Sequence, residues 1–255
     1  MEALIQVMES TIATRDPYTV GHQQRVTRMA CSIAREMGLP EKRITQLRIA
    51  GRLHDLGKIA IPTGLLSKSG ALTPLEFALI QTHPQVAYDI LKPIKFPGNT
   101  SEIILQHHER LDGSGYPHGL QGNDILLEAR ILGVADVVEA MCSHRPYRPS
   151  LGLSEALEEI SCHQGVLYDA EVVKTCLKLY RPELNELDGL PSGPPLPAVA
   201  VQAPLPQGFH PWLKTFRGIK VPGISTRLFA KENRLTHIGM VSLLGWLLMM
   251  SLRGF

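Results

Sequence analysis

No stretch of this chain alternates apolar and polar residues over more than four positions, which excludes a half-buried sheet as its scaffold. Apolar residues recur instead at helical spacing. Residues 2–14 carry Leu4, Ile5, Met8 and Ile12, and Arg15, Asp16 and Pro17 end that stripe. A second stripe, Val26, Met29, Ala30, Ile33 and Met37, closes at Gly38, a natural C-cap, with His22 at its helix start. A third runs from about Glu41 through Leu47, Ala50 and Leu53 into His54, Asp55 and Lys58. Thr73, Pro74 and Glu76 spell a capped helix start, and His83 and Pro84 open the next helix. Ser101 is the expected cap of the helix that ends at His107 and His108. Residues 128–141, 154–160 and 170–180 complete an all-α pattern of seven to nine helices.

Charge divides the chain. Residues 1–189 hold 19 Lys and Arg against 23 Asp and Glu, a net of −4, whereas residues 190–255 hold 7 against 1, a net of +6. The basic excess therefore belongs to the tail, and nucleic-acid binding by the body is not expected. Seven prolines fall between Leu190 and Pro211, a composition that suits a semi-rigid linker. The expected organisation is a body at 1–189, a linker at 190–211 and a basic, apolar tail at 212–255. Residues 238–252 are almost wholly apolar but shorter than the ~20 residues of a bilayer span, so the open readings are a membrane-surface helix, a packing helix or an end without a folding role. Cys31, Cys142, Cys162 and Cys176 show no paired metal spacing, which suggests reduced thiols in the cytoplasm. Met1 to Thr14 lacks the basic and apolar regions of a secretory leader.

The chemistry concentrates around residues 107–117, His-His-Glu-Arg-Leu-Asp-Gly-Ser-Gly-Tyr-Pro. Adjacent helix positions point about 100° apart, so His107 and His108 are expected to reach two ions, or two sides of one cluster, rather than to share one ion. The plain alternative is a surface helix end, where imidazolium suits the dipole. Along the chain stand His22, His54, Asp55, Lys58, His83, His107, His108 and Asp136. Imidazole and carboxylate donors suit iron, manganese, nickel or zinc, and the lack of thiolate speaks against a structural zinc. A carboxylate such as Asp55 can bridge two ions ~3.5–4 Å apart, the arrangement that assists in-line phosphoryl displacement. Lys58, four residues after His54, could set a cation against a phosphate oxygen. Asp136 lies between Gly133, Val134, Ala135 and Val137, Val138, a run that should be buried; a metal would offset that cost, as would a buried Arg or Lys.

Together, His54-Asp55 with Lys58, His83, His107-His108-Glu109, the Asp112–Pro117 turn and Arg145-Pro146-Tyr147-Arg148 resemble the HD-GYP domain, a branch of the HD phosphohydrolase superfamily. The likeness covers about residues 2–180. It implies an HD-type helical bundle that hydrolyses cyclic di-GMP on a two- or three-metal site. The ligands it implies are His22, His54, Asp55, His83, His107, His108 and Asp136, with Asp55 and Lys58 catalytic, Lys58 on phosphate, and Tyr116, Arg145 and Arg148 on substrate. Guanidinium forks match phosphate oxygens or a guanine edge. Members with a third metal carry Glu at the place of Tyr18, so two transition ions are expected, iron or manganese first, then nickel or zinc. Leu111, Leu126 and His144 also depart from the family pattern, and residues 1–14 are too short for the sensor or receiver domain usual there.

Two other readings compete with this one. A hydrolase of linear nucleotides such as a phosphorylated guanosine would not need the Gly-Tyr-Pro turn and paired arginines. A module that senses cyclic di-GMP, or docks a diguanylate cyclase domain through the Gly-Tyr-Pro turn, would show an incomplete ligand set, and the set here is complete. The expected partners are thus cyclic di-GMP, a diguanylate cyclase domain and a second copy of the chain, with the tail the candidate for membrane contact.

Overall fold

The computed structural model describes residues 1–15, 17–68, 70–143 and 150–181. Their elements, in order, are α1 (Glu2–Arg15), α2 (Pro17–Glu36), α3 (Glu41–Leu53), a 3-10 turn (Leu56–Ala60), α4 (Thr63–Leu66), α5 (Pro74–Ile80), α6 (His83–Leu91), α7 (Thr100–Gln106), a second 3-10 turn (Gly122–Asp124), α8 (Leu127–Cys142), α9 (Leu153–Cys162) and α10 (Ala170–Tyr180). Among the described residues there is no strand, only the isolated bridges Asp112–Gln121 and Gln164–Tyr168. Setting aside the single turn of α4, the nine other helices among the described residues fit the expected all-α class.

The punctuation read from sequence is largely realised. Gly38, at φ +74°, ends α2: its N–H donates to the Arg35 carbonyl (2.9 Å) and that of Leu39 to Ala34 (3.0 Å), the paired bonds of a Schellman cap. Thr73 and Glu76 form the reciprocal box that starts α5, with the Thr73 N–H donating to Glu76 Oε2 at 2.7 Å and the Glu76 N–H to Thr73 Oγ1 at 3.3 Å. Three boundaries differ from expectation, one of them the end of α3 at Leu53. α2 begins at Pro17, so His22 lies inside the helix rather than at its start. α7 begins at Thr100 with Asn99 before it, so Ser101 is a buried first-turn residue and not the cap.

The core follows from the most apolar helix. In α8, Ala129, Ile131, Leu132, Val134, Ala135, Val137 and Val138 are all buried, a pattern apolar nearly all round, as a central helix requires. α2 packs on α3 and α8, α9 and α10 close over α8, and α7 bridges α3, α6 and α8. Each fully buried Ile or Leu contributes about 1.5–3 kcal/mol, and Ile33, Leu47, Leu53, Leu91, Ile103 and Ile104 are among those fully buried. That apolar total lets the bundle enclose a polar cluster. The turn at Leu56–Ala60 lies close against α6: a Cβ on Gly57 would stand 1.9 Å from the His83 carbonyl oxygen, so only glycine lets the Asp55 segment approach His83.

Candidate metal centre

Histidines at helix ends have an advantage that mid-helix histidines lack: the last carbonyls of a helix have no main-chain partner. His54 follows α3 and its Nδ1 lies 2.8 Å from the Gly51 carbonyl. His107 follows α7 and pairs its Nδ1 with Ile104 at 2.6 Å. His83 starts α6 and reaches back to Ile80, the last residue of α5, at 2.8 Å. Each such bond makes Nδ1 the donor and leaves Nε2 as a bare lone pair. The Nε2 atoms of His54, His83 and His107 are buried and make no hydrogen bond.

Those lone pairs converge with two aspartates. Asp55 turns one oxygen toward His83 Nε2 (3.7 Å) and the other toward His54 Nε2 (3.5 Å) and His22 Nε2 (3.9 Å). Asp136 lies 3.1 Å from His22 Nε2 and 3.9 Å from His54 Nε2, with 13% of its side chain exposed. Three donor groups result, each with ligand atoms within 4.8 Å of one another: His83, His107 and His108; His22, His54 and Asp136; and His54, Asp55 and His107. The first two share no residue and the third overlaps both. Nitrogen and oxygen donors with buried, unsatisfied lone pairs fit divalent transition ions.

His107 and His108 share the group with His83, and His107 alone belongs also to the group with His54 and Asp55. α7 stops at Gln106, His107 keeps helical backbone angles (φ −66°, ψ −18°), and the two rings stand 4.0 Å apart. Lys58 does not continue the helix of His54: α3 ends at Leu53, and Lys58 belongs to the 3-10 turn. There its buried ammonium donates to Asp55 Oδ2 at 2.9 Å.

The charges explain the protonation of the cluster. Burial pulls the imidazoles of His83 and His107 down, to about 4 and about 3, despite the Asp55 charge at His83 and the Asp136 charge at His107. For Asp55, burial pushes upward, but Lys58, His54, His83 and His22 outweigh it and hold the carboxyl well below its usual range. Asp136 is held low in the same way by His22, His54 and His107 against burial. His22 goes the other way. Burial lowers it, yet the hydrogen bonds and charges of Asp136 and Glu139 raise it to about 9.

Above the cluster, the chain from Glu109 to Gly122 folds back over the end of α7. Glu109 is buried; its Oε1 accepts the His118 N–H at 2.8 Å and its Oε2 the Leu120 N–H at 3.0 Å. Asp112 accepts both the N–H and hydroxyl of Ser114 (2.9 and 2.6 Å), and a Cβ on Gly115 would sit 2.4 Å from the Arg110 nitrogen. The loop carries Tyr116, 8% exposed, onto His108 with ring centroids 4.7 Å apart, and edge-on to Phe77 at 6.3 Å. The Tyr116–Pro117 bond is cis.

His22, His54, Asp55, Lys58, His83, His107, His108, Asp136 and Tyr116 are therefore gathered at one place, contributed by α2, α3, α6, α7, α8 and the two connecting segments. Arg145 and Arg148 lie outside the described residues, as do the side chain of Tyr18, the linker and the tail. Sequence reasoning passed over Glu139, whose carboxylate accepts from His22 Nδ1, Arg25 Nε and the Ser143 hydroxyl. Its signal was present: an acid in an apolar run, three residues after Asp136.

The fold and the site thus define an all-helical bundle that encloses grouped histidine and aspartate donors. The chain belongs to the HD domain family, which it matches over residues 6–172. It is 41% identical over 194 residues to a cyclic di-GMP phosphodiesterase of Thermotoga maritima, covering 72% of this chain and 52% of the relative. It is 36% identical over 164 residues to the 3'3'-cGAMP-specific phosphodiesterase 1 of Vibrio cholerae, covering 63% of this chain and 38% of the relative. The chain thus spans about half or less of the length of these relatives. Its fold is similar to that of an HDG"Y"P protein from Bdellovibrio bacteriovorus, with a TM-score of 0.53 at 21% identity, covering 67% of this chain and 52% of that one. No helix among the described residues is long and apolar enough to cross a membrane.

Proposed function

We propose that this protein is a metal-dependent phosphodiesterase that hydrolyses cyclic di-GMP. The observation that carries the reading is the pair of non-overlapping donor groups, His83/His107/His108 and His22/His54/Asp136, joined through Asp55. In this reading each group would hold one ion, iron or manganese before nickel or zinc, and Asp55 would serve as a further carboxylate ligand. Such a pair supplies Lewis-acid stabilisation of phosphoryl oxygens and lowers the pKa of water toward neutrality.

The chain's own residues do the rest. The Nδ1 bonds to Gly51, Ile80 and Ile104 keep Nε2 of His54, His83 and His107 facing the centre. Lys58 keeps one positive charge buried beside Asp55, where it favours an anionic phosphoryl oxygen as charge develops. Tyr116 walls the cluster beside His108 and gives the bound dinucleotide an aromatic face. Arg145 and Arg148 are assigned to phosphate or guanine. The relatives' activity on cyclic dinucleotides supports this substrate class, and the cGAMP-specific relative supports a second reading, in which 3'3'-cGAMP is preferred.

The test is metal analysis of the purified protein, then chromatography of cyclic di-GMP and 3'3'-cGAMP digests before and after chelation. The expected result is about two ions per chain, loss of turnover on chelation and recovery with Mn²⁺ or Fe²⁺. Full turnover in excess chelator, with metal removal verified, overturns the mechanism; faster turnover of 3'3'-cGAMP selects the second reading.

A further inference from the structure

His22 cannot be oriented as the other cluster histidines are. It lies within α2, where main-chain carbonyls are engaged in helical bonds. A side chain must do what a helix end does for His54, His83 and His107. Glu139, 3% exposed and one turn after Asp136 on α8, fills that place. One of its oxygens meets His22 Nδ1, and the other accepts from Arg25 Nε and the Ser143 hydroxyl. Arg25 Nη2 also donates to Ser143 Oγ at 2.9 Å, which closes the triangle. Both oxygens are thereby fixed, and with them the rotamer of the acid.

We infer that Glu139 is a positioning residue for the ion held by His22, His54 and Asp136: by taking the Nδ1 proton of His22 in a hydrogen bond, it fixes the tautomer and turns Nε2 toward that ion. Arg25 and Ser143 hold Glu139 in turn. The effect is local to one of the two groups, because His83 and His107 take their orientation from the Ile80 and Ile104 carbonyls instead. The inference rests on the metal reading of the cluster.

Zinc is the probe, since Zn²⁺ is redox-silent and without a geometric preference of its own. Competition against a chelating dye should show two tight Zn²⁺ ions on the wild-type chain. Glu139→Ala should weaken one of them by about 10–100-fold and leave the other within threefold. Both affinities unchanged in the variant would overturn the inference and leave the metal reading standing, as would an equal loss of both ions from a folded chain. A wild-type chain that binds no zinc would overturn the metal reading itself. Should Glu139→Ala fail to fold, the ¹⁵N shifts of His22 in the zinc-loaded wild type decide: the Nδ1–H tautomer supports the inference and the Nε2–H tautomer overturns it.

Discussion

In the metal cluster, three histidines take their orientation from main-chain carbonyls at helix ends, whereas in the loop above it the main chain takes its orientation from a side chain, Glu109. The first construction is stiff, since the carbonyls of Gly51, Ile80 and Ile104 move only if α3, α5 or α7 moves. The second adds to the loop's own main-chain bonds one buried carboxylate that accepts from His118 and Leu120. A stiff base suits donor groups that must keep lone pairs aimed at one centre. The loop is also tied by main-chain bonds from the Tyr116 N–H to His108 (3.3 Å) and the Gly122 N–H to Leu111 (3.0 Å), and Tyr116 on His108 is where the two constructions meet.

The largest effect should come from the residue common to both halves of the cluster. Asp55→Ala removes the carboxylate that faces His83 on one side and His54 and His22 on the other, and it takes away the 2.9 Å acceptor of the buried Lys58 ammonium. Turnover should fall at least about 10³-fold, or ~4 kcal/mol of transition-state stabilisation, while circular dichroism still reports a helical bundle. A variant that keeps more than about a tenth of wild-type kcat would make Asp55 a structural residue.

The burial and charges of the cluster also set how the metal-free chain responds to pH. His83 and His107 titrate at about 4 and about 3 when folded but near 6.5 when unfolded, so below pH 6.5 the unfolded chain binds protons that the folded chain refuses. Stability should therefore rise with pH between about 3 and 6.5, by up to about 1.4 kcal/mol per pH unit for each histidine. His22, raised to about 9, has the opposite sign: its contribution is complete below about 6.5 and is lost as pH climbs through 9. Chelator-stripped protein should be most stable near pH 6.5, with melting temperatures falling on both sides. A melting temperature still rising between pH 7 and pH 9 would remove His22 from this account.

A smaller effect is expected in the loop. Glu109→Ala leaves the N–H groups of His118 and Leu120 without their acceptor, each loss costing about 1–3 kcal/mol to the extent that water cannot replace it. The metal count should be unchanged, KM should rise on the order of tenfold and kcat should change less. If Glu109→Ala instead strips a metal ion, the loop and the cluster are one unit and the contrast between them fails.

Much of the molecule was legible in the sequence, for identifiable reasons. Helix stripes and the caps at Gly38 and Thr73 depend on local chemistry, and both formed as expected. The donor residues could be named because histidines and aspartates stand out against apolar helices. How each donor is held could not be read. The Nδ1 bonds of His54 and His107 depend on where α3 and α7 stop, and a boundary error of one residue moves a free carbonyl. Glu139 pairs with His22 across 117 positions of sequence, a contact that only the packing of α2 on α8 creates. Lys58 is expected to continue the helix of His54, because the break after Leu53 carries no Gly or Pro until Gly57.

The smallest effect should come from removing the chain beyond α10. The donor residues run from His22 to Asp136, and α9 and α10 pack on α8 before Arg181. α10 is secured within the described residues: Val172, Val173, Cys176 and Tyr180 are buried, Asp169 caps it through the N–H groups of Glu171 and Val172 (3.0 and 3.2 Å), and Lys178 pairs with Glu36 at 3.0 Å. The same Asp169 accepts from Arg130 of α8 at 2.7 Å, which ties the last helix to the central one. A chain ending at Asp188 should therefore keep these contacts, fold, hold its full metal complement and retain kcat within about threefold, ~0.6 kcal/mol. It should also be more soluble, since it sheds the apolar run at 238–252 and the positive charge around it. An insoluble or metal-free truncation beside an active full chain would place the boundary of the working domain beyond residue 189.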